Sequence, residues 1–210
     1  MTHCLSSSEI SLDFRRFLED APKAELHIHL RGAMPPQFFG SLLGKYTPER
    51  ALENTPARFL EDFKRYSNIR PFLQSPIKAP PETLFHCQSF DQFLSTYLFT
   101  SYFCRDITDF RNLIEAVQTT LTSQNIVYAE ITVSLFEYLS QGISMEEIAL
   151  ALDETTNEAE VETFWIVDLV RNIGPSRTLE VLETLLRHRP RRLVGITLGG
   201  SEHRFPPAQF

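Results

Sequence analysis

Pro22–Lys23–Ala24–Glu25–Leu26–His27–Ile28–His29–Leu30–Arg31–Gly32 is the stretch on which the fold turns. From Lys23 to Leu30 apolar and polar residues alternate, which is the period of a β-strand. The alternation predicts Leu26, Ile28 and Leu30 on one face and Glu25, His27 and His29 on the other. The apolar face suits packing beneath helices. Two histidines two residues apart on a strand stand roughly 6.5 to 7 Å apart at Cβ. From that spacing their ring nitrogens can converge on one ion at about 2.1 Å each. Gly32 and Pro35–Pro36 then turn the chain away. Two polar residues facing solvent on an edge strand would give the same pattern, so the spacing alone leaves both readings open.

Outward from this stretch the chain divides in two. Residues 36–124 carry apolar residues at three- and four-residue steps, which predicts helices near 37–45, 57–66, 90–104 and 107–123. A Pro-rich connection runs from Pro71 to Pro81. Beyond it, short β-rich runs alternate with helical ones. Strands are expected at 126–133 (IVYAEITV), 163–170 (TFWIVDLV) and 193–198 (LVGITL), with helices at 144–159 and 175–188. Ser144 and Glu147 form a capping-box pattern, and Pro175 opens a first helical turn. Upstream of Pro22, Ile10, Phe14, Phe17 and Leu18 recur at helical spacing behind Ser8 as N-cap. Strands alternating with helices imply a parallel sheet with helical crossovers. Four strands are half of what a closed (β/α)8 barrel needs.

Composition sets the outer bounds. The chain has 210 residues, 42% hydrophobic and 22% charged, with a net charge of −7. This is a globular composition, and the negative balance argues against nucleic acid as the main partner. No window reaches the roughly 18 apolar residues of a membrane span. The first ten residues lack the pattern of a secretory signal. Cys4, Cys87 and Cys104 are odd in number and widely spaced, which points to free thiols in a reducing, cytoplasmic setting. Phenylalanine occurs 17 times and tryptophan once, so aromatic burial rests on Phe.

The opening stretch closely resembles the first strand of the adenosine deaminase family, P-K-x-E-L-H-x-H-L-D-G. Four further segments resemble the family in the same order. Ser89–Phe90–Asp91–Gln92–Phe93–Leu94 is similar to the helix that covers the nucleoside. Val127–Tyr128–Ala129–Glu130–Ile131–Thr132–Val133–Ser134 is similar to the second strand, Y-x-E-x-R-x-S-P. Residues 167–172, with Arg171, look like the end of the third. Val194–Gly195–Ile196–Thr197–Leu198–Gly199–Gly200–Ser201–Glu202 looks like the fourth, G-x-D-L-A-G-D-E. The bacterial adenosine deaminase-like branch looks closest.

The resemblance implies an α/β fold: a partial (β/α)8 TIM barrel of about four βα units, with a helical cap insertion at about 36–124 after the first strand. It implies one divalent metal, usually zinc, and hydrolytic deamination of an aminopurine by a metal-activated water. His27 and His29 would be two metal ligands. Phe93 and Leu94 would line the apolar lid, and Gly200 would approach the purine with its backbone. The substrate would be a purine nucleoside or an anionic derivative of one.

Departures from the family pattern shape the expectation. Arg31 stands where the family has Asp. A guanidinium near a dication is unfavourable unless an anion lies between them, and Arg matches phosphate and carboxylate geometry. Arg31 is therefore read as a substrate-binding residue for an anionic substrate, against the alternative that it swings out to solvent. Thr197 and Ser201 also replace family acids. The family draws a third metal His and its acid/base Glu from an H-A-G-E segment on the fifth strand, then a His on the sixth and an Asp on the eighth. No such segment follows here, and His3, His86, His188 and His203 lie in other contexts. Glu130 reads as a barrel-interior polar residue, not as the missing catalyst, so no catalytic residue is assigned. The expectation is an N-terminal half, inactive alone, that pairs with a complementary C-terminal half or self-associates through its open sheet. The alternative is a non-catalytic binding or assembly module.

Overall fold

Four segments form one sheet: β1 (Lys23–His29), β2 (Ile126–Ser134), β3 (Glu162–Asp168) and β4 (Leu193–Thr197). The computed structural model describes residues 12–210, the side chains of residues 157 and 158 excepted. All three strand pairs are parallel and the spatial order is β1-β2-β3-β4, so sequential strands are neighbours. Each crossover is helical, as parallel pairing demands. The helices are α1 (Leu12–Asp20), α2 (Pro36–Lys45), α3 (Pro48–Ala51), α4 (Ala57–Arg65), α5 (Phe90–Ser101), α6 (Ile107–Ser123), α7 (Phe136–Ser140), α8 (Met145–Glu158) and α9 (Pro175–Arg187). Helices α3 and α7, of four and five residues, are too short for a periodicity to announce them. The Ser8 cap and Ile10 lie outside the described residues.

The β2–β3 ladder runs in unbroken register, and its two faces differ in chemistry. Ala129, Ile131 and Val133 lie level with Thr163, Trp165 and Val167. These six are buried, facing a core shared with Leu113, Ile114 and Val117 of α6 and Ile148 and Leu152 of α8. The Trp165 indole donates to Thr156 Oγ1 at 3.0 Å, so the one tryptophan is buried without orphaning its N–H. The other face carries Tyr128, Glu130, Thr132 and Ser134, level with Glu162, Phe164, Ile166 and Asp168. Glu130 is thus on the polar face, where it accepts from Tyr128 Oη at 2.9 Å.

Strand β1 corrects the simple alternation. Register shifts fall between Lys23 and Ala24 and between Glu25 and Ile28. Glu25 lies level with Ala129 of the core face, whereas His29 lies level with Thr132 of the polar face. Glu25 therefore does not share the histidines' side; its carboxylate accepts from the His27 backbone N–H at 3.2 Å. Ile28 lies level with Ile131 and packs against the core, and Leu30 is buried, whereas Leu26, within the shift, is 61% exposed. At the far edge, Val194 and Ile196 of β4 are 55% and 52% exposed.

The long β1–β2 connection has its own core. The Phe39 ring lies 5.9 Å from Phe72, 6.1 Å from Phe85, 6.2 Å from Phe99 and 5.3 Å from Phe103, centroid to centroid. Phe63 adds a contact to Phe99 at 5.3 Å. The excess of phenylalanine is used here, where edge-to-face pairs each contribute about 0.5–1.5 kcal/mol beyond area burial. At the start of α6, Asp106 and Asp109 form a reciprocal capping box, and Lys45 of α2 reaches both carboxylates at 2.7 and 2.6 Å. The predicted Ser144–Glu147 capping box on α8 and Pro175 at the start of α9 are both present.

Removing the α6 cap by Asp106→Ala should cost about 1 kcal/mol in urea unfolding. Partial burial pushes the Asp106 carboxyl up, but the Lys45 ammonium, the Asp109 N–H and the Tyr46 hydroxyl together outweigh it and hold the group below its ordinary value. A depressed carboxylate stabilises the fold above its unfolded value, and the contribution is lost as pH falls through the folded one. The urea midpoint should therefore fall below about pH 4, and fall less in Asp106→Asn.

Candidate active site

His27 and His29 lie side by side at the carboxyl end of β1, with ring centroids 5.5 Å apart and planes tilted by 38°. The expected sharing of one face by the two rings holds despite the broken register. His29 meets Tyr97 of α5 edge-on, with centroids 6.5 Å apart and planes at 88°. Burial holds the His29 ring below its ordinary value; nearby Asp168 opposes this, and His27 and Arg31 reinforce it. A low value keeps the imidazole neutral, the form that ligates metal. Two imidazoles fit one flank of a zinc site, but such a site takes three or four protein donors. Among the described residues no third His, Cys, Asp or Glu is placed to complete one. The described residues therefore do not by themselves fit a whole zinc centre.

Arg31 is not in solvent. Its side chain is only 3% exposed and pairs with Glu137 of α7 at 3.0 Å. The same Nη2 donates to Tyr97 Oη at 3.2 Å, and the guanidinium carbon lies 4.7 Å over the Tyr97 ring. Burial works against the charged guanidinium, but Glu137 together with Tyr97 and Tyr138 outweighs it and raises the group well above its ordinary value. Phe93 is partly exposed one turn before Tyr97, at 6.5 Å between rings, and Phe90 follows at 6.2 Å. These rings make an aromatic row along α5 that ends at His29.

Gly200 lies across the same end of the sheet in a loop pinned by three residues at the end of β3. Asp168 accepts from Ser134 Oγ at 2.9 Å and from the Gly199 N–H at 2.8 Å. Asn172 Oδ1 accepts from the Ser201 N–H at 2.7 Å. The Arg171 guanidinium donates to the carbonyls of Leu198, Gly199 and Phe205 at 2.7, 3.2 and 3.1 Å. A Cβ on Gly199 would meet Asp168 Oδ1 at 2.4 Å, and one on Gly200 would meet Asn172 Oδ1 at 2.3 Å. Gly200 also has φ +92°, which L side chains rarely adopt. Both glycines thus allow close approach of the loop to the side chains beneath it.

The residues missed by sequence reasoning are Tyr97, Glu137, Asp168 and Asn172. Asp168 left a signal: an acid at the end of the apolar run TFWIVDLV, where a strand delivers its last side chain to a site. Glu137 left none, because α7 is too short to place it. Cys104 and Cys87 are free thiols, as expected, and burial pushes the Cys104 thiol up to about 12. Cys4 lies outside the described residues.

A model of the family described as adenosine deaminase matches residues 22–210. The chain belongs to the adenosine deaminase family. Its relatives include an adenine deaminase of Rhodospirillum rubrum, 26% identical over 201 residues, covering 92% of this chain and 52% of that protein. An aminodeoxyfutalosine deaminase of Streptomyces avermitilis is 28% identical over 204 residues, covering 94% and 51%. Among solved structures, the adenine deaminase of Arthrobacter aurescens superposes with TM-score 0.64 at 22% identity over 90% of this chain and 52% of that one. A zinc-bound amidohydrolase of Burkholderia ambifaria superposes with TM-score 0.67 at 18% identity, over 96% and 50%. The four-stranded parallel sheet is thus part of a TIM-barrel fold. The chain spans about half the length of the curated relatives it matches.

Gly200→Ala combines a positive φ with a steric clash and should cost about 1–3 kcal/mol in urea unfolding. Backbone hydrogen exchange should rise locally across residues 198–205.

Proposed function

We propose that this chain is the N-terminal half of the catalytic barrel of a zinc-dependent deaminase acting on an adenine nucleoside or a related aminopurine. The observation that carries this reading is the pairing of the His27 and His29 rings at the end of β1, at the same end of a family sheet as the pinned loop after β4. His27 and His29 would hold one flank of the zinc, which supplies water activation when its donor set is complete. Phe93 and Leu94 offer an apolar wall to a purine, and the Gly200 backbone faces it from the other side. The remaining metal donors and the proton-transferring acid would come from a polypeptide that pairs with β4 and β1. An anionic derivative would reach Arg31 only by displacing Glu137, so the site as it stands favours an uncharged nucleoside or base. The free thiols Cys87 and Cys104 suit a reducing cytoplasm.

The incomplete donor set favours one second reading, a non-catalytic binding or assembly module. Co-expression with strands five to eight of a family barrel separates the two. The first reading expects about one zinc per complex and ammonia release from adenine, adenosine or aminodeoxyfutalosine. Both should be lost in His27→Ala and His29→Ala. A complex that forms but holds no zinc and releases no ammonia supports the module instead.

The open edges make a prediction for the chain alone. Leu26 on one edge and Val194 and Ile196 on the other are apolar, and each edge strand has unpaired backbone groups on its outer side. Beside β1, α1 exposes Leu12, Phe14, Phe17 and Leu18. Light scattering should find dimers or larger species; a monomer persisting at high concentration overturns this.

A further inference from the structure

We infer that Arg31 and Glu137 form a latch that holds helix α5 over the histidine pair, making Arg31 a positioning residue for Tyr97 and His29 and not a receptor for substrate anions. The inference rests on the proposed site but uses only contacts within this chain. Arg31 follows His29 by two residues, Tyr97 sits in α5, and Glu137 opens α7 after β2. One guanidinium therefore ties together three segments that nothing local would align. Its Nη2 bonds both Glu137 Oε1 and Tyr97 Oη, while its face lies on the Tyr97 ring. The other edge of that ring meets His29. Tyr97 is thus clamped between a cation and the candidate metal ligand.

The burial excludes a casual surface pair. A guanidinium this deep is strongly unfavourable without a counter-charge, and Glu137 supplies it. Arg31 Nη1 is buried without a hydrogen-bond partner, so an arriving phosphate or carboxylate could reach that donor only by opening the packing around it. An anion would have to compete with a carboxylate already in place.

The rest of α5 explains why a latch is needed. The back of the helix is pinned by a buried amide network: Asn68 Nδ2 donates to Thr96 Oγ1 at 2.9 Å, and Gln92 Nε2 donates to Asn68 Oδ1 at 2.5 Å. Its front carries Phe90, which is largely exposed, and Phe93, which is partly exposed. On that side the Arg31 bond to Tyr97 holds the helix to β1. If the latch opens, the aromatic row moves as a unit away from His29.

The test is peptide-resolved hydrogen exchange on the full chain, with Glu137→Gln, Tyr97→Phe and the double variant Arg31→Met/Glu137→Met. The latch predicts that Glu137→Gln raises exchange across 90–101 at least tenfold while α8 and β3 stay within twofold. Tyr97→Phe, which keeps the ring and loses the bond, should raise it less but at the same place. Replacing a buried ion pair by apolar groups often restores stability. The double variant should therefore regain its urea midpoint and still show fast exchange at α5, which a merely structural ion pair would not do. Unchanged exchange at α5 in both single variants, a rise spread evenly over all helices, or full recovery in the double variant overturns the latch. So does stabilisation of the wild type by inorganic phosphate that vanishes in Arg31→Met. The exchange readout does not depend on zinc or turnover, so failure of the proposed activity would leave it standing or falling on its own.

Discussion

A parallel sheet has two faces, and both must be covered for it to persist in water. Everything in this molecule follows from how that requirement is met on one face and left to other means on the second. On the helical side, α6 and α8 bury Ala129, Ile131, Val133, Trp165 and Val167. The ladder there is in strict register because a one-residue slip would turn the whole apolar set toward solvent. On the other side, Tyr128, Glu130 and Phe164 form a mixed polar and aromatic surface. In a closed barrel that surface would be the interior. Among the described residues the sheet has four strands, so this surface lies open and the sheet ends in two unpaired edges. The same constraint that orders the core thus defines what a completing partner would have to cover.

Much of this was legible in the sequence, for a physical reason. The strands at 126–134 and 162–168 bury one face and so had to alternate. Helix α6 begins and ends where its spacing and caps put it, at 107 and 123. Strand β1 was harder. Its alternating letters implied one uniform face, but register shifts detach Glu25 from the histidines. A register shift is a property of a pair of strands and cannot be read from one of them. Leu26 looked like core and is 61% exposed, because it falls within the register shift that follows Glu25.

The candidate site shows the same division. The shared side of His27 and His29 was legible because a two-residue spacing puts both rings on one face of a strand, whatever those rings then do. Gly200 was singled out through resemblance, and the structure gives a local reason for a glycine there, its positive φ above Asn172. Arg31 was legible as a departure from the family, but its role was not. Its buried partner, Glu137, is 106 residues away on a helix of one turn. A buried charge announces that it has a partner without saying where the partner lies.

The polar end of the sheet is stabilised by fixed pairs rather than by apolar packing. Asp168 links β2 to the loop after β4 through Ser134 and Gly199, while Arg31 links β1 to α5 and α7. Each pair joins segments contributed by different βα units, so the rim is cross-tied where the core cannot reach. Such ties have little value for bulk stability, since desolvating a charge offsets most of what its partner returns. Their value is geometric. A hydrophobic contact tolerates sliding, whereas a hydrogen-bonded guanidinium fixes distance and direction together. A site that must hold two imidazoles, an aromatic wall and a backbone loop in register needs the second kind of contact. It is at this rim, and not in the apolar core, that the chain places its buried Arg31, Asp168 and Arg171.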